Sequence, residues 1–182
     1  MKLIVLGTDH ALQRSDPGLK QLLDALIETE RVAFVGEEYT TTSVARQVAE
    51  SKGIQWIQID MTQEDRNRAG IGGLLGRKFQ YRANNSVDEE IAIYAPKGDG
   101  IREEWWLTKI ENESGSGMAL LICGACHLQP VTEKARHRGH QVSSHFYPEA
   151  LSELQVCVAG NRLENGATEP AIFRDMDHLA CF

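Results

Sequence analysis

Short apolar runs alternate along this chain with segments of helical periodicity, and this alternation constrains the fold more than any other feature of the sequence. Apolar runs of strand length are typical of strands buried on both faces of a sheet. The segments predicted as strands are residues 3–7, 32–36, 54–60, 118–123 and 141–147, of which the last is more polar than the others. Because strands that alternate with helices form parallel sheets, we expect an α/β protein with a mostly parallel β-sheet flanked by helices.

The helical segments carry their own start and stop signals. Asp16 can cap a helix whose first turn contains Pro17, and leucine and isoleucine follow at helical spacing. Gly53 and Gly139 are suited to end two further helices. Besides the helix that begins at Pro17, the pattern predicts helices near residues 43–52, 101–113 and 129–138. In the helix at 101–113, the side chains predicted to face the core are Ile101, Trp105, Trp106 and Ile110.

The length of 182 residues and the hydrophobic fraction of 42% predict a single packed domain covering residues 1–182. Two parts of this domain lack clear periodicity. Residues 61–96 contain several glycines and many polar residues, which favours an inserted loop or lid. Residues 148–182 are predicted to form a peripheral C-terminal segment.

The charge balance bears on the partners and the compartment. With 26 acidic and 19 basic side chains, the net charge of −7 disfavours binding to nucleic acid. No run approaches the roughly 18 apolar residues of a membrane span, and the apolar N-terminal run is too short for a signal peptide. We therefore expect a cytoplasmic protein whose four cysteines are reduced and mainly buried.

Polar residues follow four of the predicted strands, at the edge where ligands bind in open α/β sheets. These residues are His10, Glu37 and Glu38, Asp60, and His127. The two glutamates would point to opposite faces of a continuing strand, and we favour Glu37 for the site. Two imidazoles with carboxylate oxygens suit a divalent cation such as Zn, Mn, Co or Fe, while a carboxylate without a metal could act as a general base.

Each of these features also has a simpler interpretation. Asp60 has the sequence context of a helix cap, and a lone histidine after a strand is usually a loop residue. Arg102 could reach the same edge of the sheet or could cover a tryptophan at the surface. The segment 123–127 matches the Cys-x-x-Cys-His pattern of haem attachment and contains a thioredoxin-like pair. Haem attachment is typical of exported proteins, and no signal peptide is predicted here. A redox pair needs an exposed first cysteine, whereas Cys123 ends an apolar run that is predicted to be buried.

The order of these motifs resembles the TIKI/TraB family, which belongs to a wider group with erythromycin esterase and the haem-binding protein ChaN. The shared pattern consists of two Gly-x-x-His motifs, a glutamate pair and an arginine, and it extends over roughly residues 3 to 145. Here the motifs are Gly7-Thr8-Asp9-His10, Glu37-Glu38, Arg102 and Gly124-Ala125-Cys126-His127. The glycine-rich segment 70–76 has no counterpart in that pattern.

The resemblance implies an α/β fold with the site at the C-terminal ends of the strands and a metal-dependent hydrolase of peptide, amide or ester bonds. It implies that His10, His127 and Glu37 hold a divalent metal ion. Glu37, Glu38 and Arg102 would be catalytic, with Arg102 binding an anionic group or stabilising negative charge. The partner would be a small-molecule or peptide substrate, and a homo-oligomer is possible. The alternatives are a non-catalytic protein that binds haem or another small ligand, and a structural module.

Overall fold

The computed structural model describes residues 1–38, 42–71, 88–115 and 117–148. Its strands are β1 (Lys2–Thr8), β2 (Val32–Glu37), β3 (Gln55–Gln58), β4 (Met118–Gly124) and β5 (Gln141–Phe146). They form one sheet in the order β3-β2-β4-β1-β5, and every neighbouring pair is parallel. The prediction of an α/β fold with a parallel sheet is therefore confirmed.

Helices connect the strands. They are α1 (His10–Ser15), α2 (Pro17–Glu30), α3 (Val44–Ser51), α4 (Gln63–Arg68), α5 (Asp88–Glu113) and α6 (Leu128–His137), with a short 3-10 turn at Ala125–His127. The start of α2 follows the predicted signals, because an Asp16 side-chain oxygen accepts a hydrogen bond from Leu19 N at 2.7 Å and Pro17 occupies the first turn. Helix α1 was not predicted from the sequence.

The two faces of the sheet have separate cores. Apolar side chains of α2 and α3 pack on one face, and those of α5 and α6 pack on the other. This division follows from the chain path, because β1 to β3 lead towards one edge of the sheet and β3 to β5 lead back towards the other. Right-handed crossovers place connections of opposite direction on opposite faces. Strand β4 thus lies between β1 and β2. The helices that follow β1 and β2 cover one face of the sheet, and the helices on either side of β4 in the chain cover the other. A crevice opens where neighbouring strands differ in this way.

Two predictions differ from the structure. The described parts of the predicted lid at 61–96 include α4 and the first turns of α5, so the helix expected at 101–113 begins at Asp88. Residues 72–87 of that segment, and residues 149–182 at the C-terminus, lie outside the described residues.

The prediction that Trp105 faces the core is wrong, since its side chain is 36% exposed while Trp106 is fully buried. The buried stripe of α5 runs through Trp106 and Ile110.

The prediction of mainly buried cysteines can be compared with the structure at two of the four positions. Cys123 is buried, whereas Cys126 is exposed beside the end of β4. The other two cysteines lie outside the described residues. Across the described ranges, none of the helices combines the length and the apolar character that crossing a bilayer requires.

Candidate functional site

The carboxylate of Glu38 is the centre of a polar cluster at the C-terminal end of β4. Glu38 directly follows β2, and its backbone N–H donates to Ile122 O at 2.9 Å, which continues the pairing of β2 with β4 by one residue. Its side chain is only 6% exposed. One oxygen, Oε1, accepts from Arg102 Nη2 at 2.6 Å, and Oε2 accepts from the backbone N–H of Gly124 at 2.8 Å. The carboxylate is thus buried, compensated in charge and fixed at both oxygens.

Two imidazole rings flank this carboxylate. His10 Nε2 lies 3.8 Å from Glu38 Oε2, and His127 Nε2 lies 3.9 Å from Glu38 Oε1. His10 is the first residue of α1, because Asp9 Oδ1 accepts from Ala11 N at 2.7 Å and starts the helix there. The His10 side chain is 48% exposed, whereas that of His127 is 7% exposed. The cluster is therefore open to solvent on the side of His10.

A buried chain of charged groups holds His127. Its Nδ1 lies 2.7 Å from Glu103 Oε1, and the other oxygen of Glu103 accepts from Lys134 Nζ at 2.7 Å. The ring also meets the Trp106 indole edge-on, with 4.9 Å between the ring centroids. Since Nδ1 is taken by Glu103, Nε2 is the ring nitrogen that faces Glu38.

The surroundings of His127 favour its protonated form. Burial alone would lower the pKa of His127, but side-chain hydrogen bonds with Cys126 and Glu103, together with the charge of Glu38, raise that pKa to about 10. For Glu103, the hydrogen bonds with His127 and Lys134 outweigh burial and lower the pKa of the carboxyl. The raised pKa of His127 and the lowered pKa of Glu103 favour a buried ion pair between the imidazolium and the Glu103 carboxylate.

Arg102 on α5 donates to carboxylates of the protein itself. Its Nε and Nη2 reach the two oxygens of Asp60 at 3.0 and 3.1 Å, and its Nη1 reaches Asp99 Oδ1 at 3.3 Å. The guanidinium also stacks over the Trp106 ring, 5.0 Å from its centroid. Asp60, in turn, is 5% exposed and accepts a hydrogen bond from Trp106 Nε1 at 3.0 Å. These contacts indicate that Arg102 positions Glu38.

Glu37 lies on the opposite face of the sheet from Arg102. Its Oε2 accepts from Ser43 Oγ at 2.5 Å and from Trp56 Nε1 at 2.8 Å, and its side chain is fully buried beside α3. Burial raises the pKa of Glu37 to about 7, although both hydrogen bonds act in the other direction. The expectation that the two glutamates point to opposite faces is met, and the glutamate that faces the histidines is Glu38.

The structure thus gathers five of the six residues singled out in the sequence, namely His10, Glu38, Asp60, Arg102 and His127. The donors present do not make a ready metal centre. Both oxygens of Glu38 already accept short hydrogen bonds, and the described contacts of Glu37 are with Ser43 and Trp56. Within the described ranges, no three or more His, Cys, Asp or Glu side chains are arranged to hold a metal ion.

Sequence reasoning missed Glu103 and Lys134, which support His127. One signal for Glu103 was present, because it precedes Trp106, Leu107 and Ile110 at spacings of three, four and seven residues. A carboxylate within the buried stripe of a helix needs a partner, since an unpaired buried charge is costly. Lys134 carried no such signal. The sequence context of Asp60 is typical of a helix cap, but in the structure its carboxylate pairs with Arg102.

The fold and the cluster define an α/β protein with a carboxylate–imidazole site at the strand ends. Comparison of the chain with models of known families, with curated proteins and with solved structures finds no match. The resemblance to the TIKI/TraB family therefore stays a proposal, and the geometry has to carry the functional argument.

Proposed function

We propose that this protein is a hydrolase that cleaves an ester, amide or peptide bond at the cluster around Glu38. One observation carries the proposal: a buried, fixed carboxylate has an imidazole Nε2 within 4 Å of each of its oxygens, one ring exposed and the other buried. Groups that can accept and donate protons side by side are the requirement of general acid–base catalysis.

The two histidines have different environments and therefore different proposed roles. His10, the exposed ring, accepts a proton from a water molecule at Nε2 while the water oxygen attacks the carbonyl carbon. His127, the buried imidazolium, donates a hydrogen bond to the carbonyl oxygen as negative charge develops there. When the bond to the leaving group breaks, His10 returns its proton to that group.

The remaining charged residues position these groups. Arg102 fixes Glu38, and Asp60 fixes Arg102. Glu103 holds the ring of His127 at Nδ1, and Lys134 holds Glu103. A fixed arrangement matters because catalytic groups stabilise a transition state only when they are already oriented towards it.

The TIKI/TraB-like, metal-dependent form of this hydrolase is the more specific proposal from the sequence. A divalent ion would need His10 and His127 as ligands and would have to displace Arg102 or Gly124 from the oxygens of Glu38, or draw Glu37 away from Ser43 and Trp56. Metal analysis of the purified protein beside a His10→Ala/His127→Ala variant tests this form. Near-stoichiometric metal that is lost in the folded variant would favour it over the metal-free reaction.

The compartment and the partner are also proposals. Free Cys123 and Cys126 fit a reducing compartment, which supports the cytoplasm. The proposed partner is a small-molecule or peptide substrate with an accessible carbonyl group, since the cluster is open beside His10.

The experiment that tests the function is a hydrolysis screen with ester, amide and peptide substrates, carried out with and without a chelator. We expect His10→Ala and Glu38→Gln to lower kcat about 10²–10⁴-fold with the fold retained. His140→Ala is the matched control, because His140 is paired with Glu111 at 2.6 Å rather than with any group of the Glu38 cluster. Equal rates in all variants, or no hydrolysis of any substrate class, would overturn the proposal.

A further inference from the structure

Three buried polar atoms behind the Glu38 cluster have no hydrogen-bond partner among the described residues. They are Thr8 Oγ1, Gln13 Nε2 and Glu37 Oε1, and all three residues are fully buried. A fourth such atom, Arg66 Nε, belongs to a side chain that binds Asp60 instead. Because an unpaired buried polar atom is unfavourable, proteins usually satisfy such atoms with ordered water.

Thr8 and Glu37 lie on the same face of the sheet, one on each side of β4. Thr8 pairs in register with Gly124, and Glu37 pairs with Ile122. Ile122 packs into the core formed with α2 and α3, and side chains alternate between the faces along each strand. Gly124, two residues further, therefore presents the same face, and so do its neighbours Thr8 and Glu37.

The imidazole of His10 fills the space above Gly124 on this face. A Cβ atom on Gly124 would lie 3.1 Å from His10 Nε2. The other nitrogen, His10 Nδ1, lies 3.4 Å from Gln13 Oε1, so the unpaired Nε2 of Gln13 belongs to an amide that contacts the same ring. Gln13 thus contacts the ring of His10, Thr8 lies beside the Gly124 position that the ring covers, and Glu37 lies across β4 on the same face of the sheet.

We propose that Thr8, Gln13 and Glu37 form a buried water site behind His10. The chemistry of the three atoms is complementary to water: the Gln13 amide donates, the Glu37 oxygen accepts, and the Thr8 hydroxyl can do either. A buried water molecule typically makes two to four such hydrogen bonds. The water would fix the Gln13 amide and, through its oxygen, the orientation of the His10 ring. That positioning role rests on the proposed hydrolase, whereas the water site itself does not.

A Thr8→Val substitution tests the site through stability. Valine has the shape of threonine but cannot bind water, so the midpoint of thermal unfolding falls if a water molecule is bound there. If the site is empty, replacing an unpaired hydroxyl by a methyl group raises the midpoint, and the proposal is overturned. Thr132→Val is the matched control, because its hydroxyl already donates to Leu128 O at 2.7 Å and lies away from this site.

The direct test is a crystal structure of the wild-type protein and of the Thr8→Val variant. We expect an ordered water within about 3.5 Å of at least two of the three atoms in the wild type, and its loss in the variant. A site without water, or one in which the three atoms bond to protein groups, would overturn the proposal. If the variant does not fold, the wild-type density decides. Neither measurement needs a substrate, so failure of the hydrolysis screen and failure of the water site are separate results.

Discussion

Glu103 Oε1 lies 2.7 Å from His127 Nδ1, so that a carboxylate on α5 determines which nitrogen of a histidine beyond β4 faces the candidate site. Glu103 precedes β4 in the chain and His127 follows it, and only the packing of α5 against α6 brings the two residues together. Both are almost fully buried, which makes this ion pair sensitive to the loss of either partner.

Removal of Glu103 should destabilise the protein strongly. We expect Glu103→Ala to lower the free energy of unfolding by about 3 kcal/mol, because it leaves His127 without its carboxylate in a buried position. Urea unfolding measures the change. Glu104→Ala, on the same helix but with its side chain 48% exposed and paired with Arg138, should cost less than about 1 kcal/mol. Similar losses in the two variants would contradict the role assigned to Glu103.

A methyl group at position 124 should disturb the site more than the fold. The backbone of Gly124, with φ −59° and ψ 144°, suits any residue, but a Cβ there lies 3.1 Å from His10 Nε2. Because His10 is half exposed and can move, we expect Gly124→Ala to change the free energy of unfolding by less than about 1 kcal/mol. Displacement of His10 should nevertheless slow hydrolysis at least tenfold. An unchanged rate would show that the position of His10 is not critical.

Gly100→Ala provides the comparison for that variant. Gly100 lies inside α5, and a Cβ atom there meets nothing within 4 Å. Since alanine is preferred to glycine within a helix, we expect the free energy of unfolding to rise by about 0.5–1 kcal/mol. Hydrolysis should be unaffected. Destabilisation in thermal or urea unfolding would indicate that this part of α5 is not regular helix.

Glu37 should make the protein less stable as the pH rises from about 5 to about 7. The pKa of Glu37 is raised from 4.5 to about 7, so in this range the unfolded chain loses the proton that the folded state retains. The free energy of unfolding therefore falls progressively, by up to about 3 kcal/mol above pH 7. Glu37→Gln removes this contribution, and urea unfolding at several pH values should give a flatter curve for the variant.

The raised pKa of His127 also makes the protein less stable as the pH rises, but over a higher range of pH. Its stabilising contribution is complete below about pH 6.5 and is lost as the pH rises towards 10. Comparing the wild type with Glu37→Gln between pH 5 and 6.5 therefore isolates Glu37. Parallel stability curves for the two proteins in that interval would refute the assignment.

Local chemistry determined the five strands and the helices α2, α3 and α6, and the sequence was sufficient to predict them, whereas it did not predict α1 or α4. Continuous apolar runs marked the strands, and Asp16 with Pro17 marked the start of α2, because strand burial and helix capping depend on residues close together in the chain. The same reasoning placed His10, Glu37, Glu38 and His127 at the strand ends, and it favoured Glu37 for the site. It also predicted that Glu37 and Glu38 point to opposite faces, since side chains alternate along a strand.

The tertiary structure alone decided which glutamate joins the histidines. The strand order places β4 between β1 and β2 and the helices α5 and α6 on one face, so Arg102 meets Glu38 there while Glu37 is buried against α3. Asp60 meets Arg102, and Glu103 meets Lys134, only after these helices pack. The contacts of Arg102 with Glu38 and Asp60, and of Glu103 with Lys134, join residues 31 to 64 positions apart. No local pattern encodes them, because they depend on crossover direction and on the fit of whole helices to the sheet.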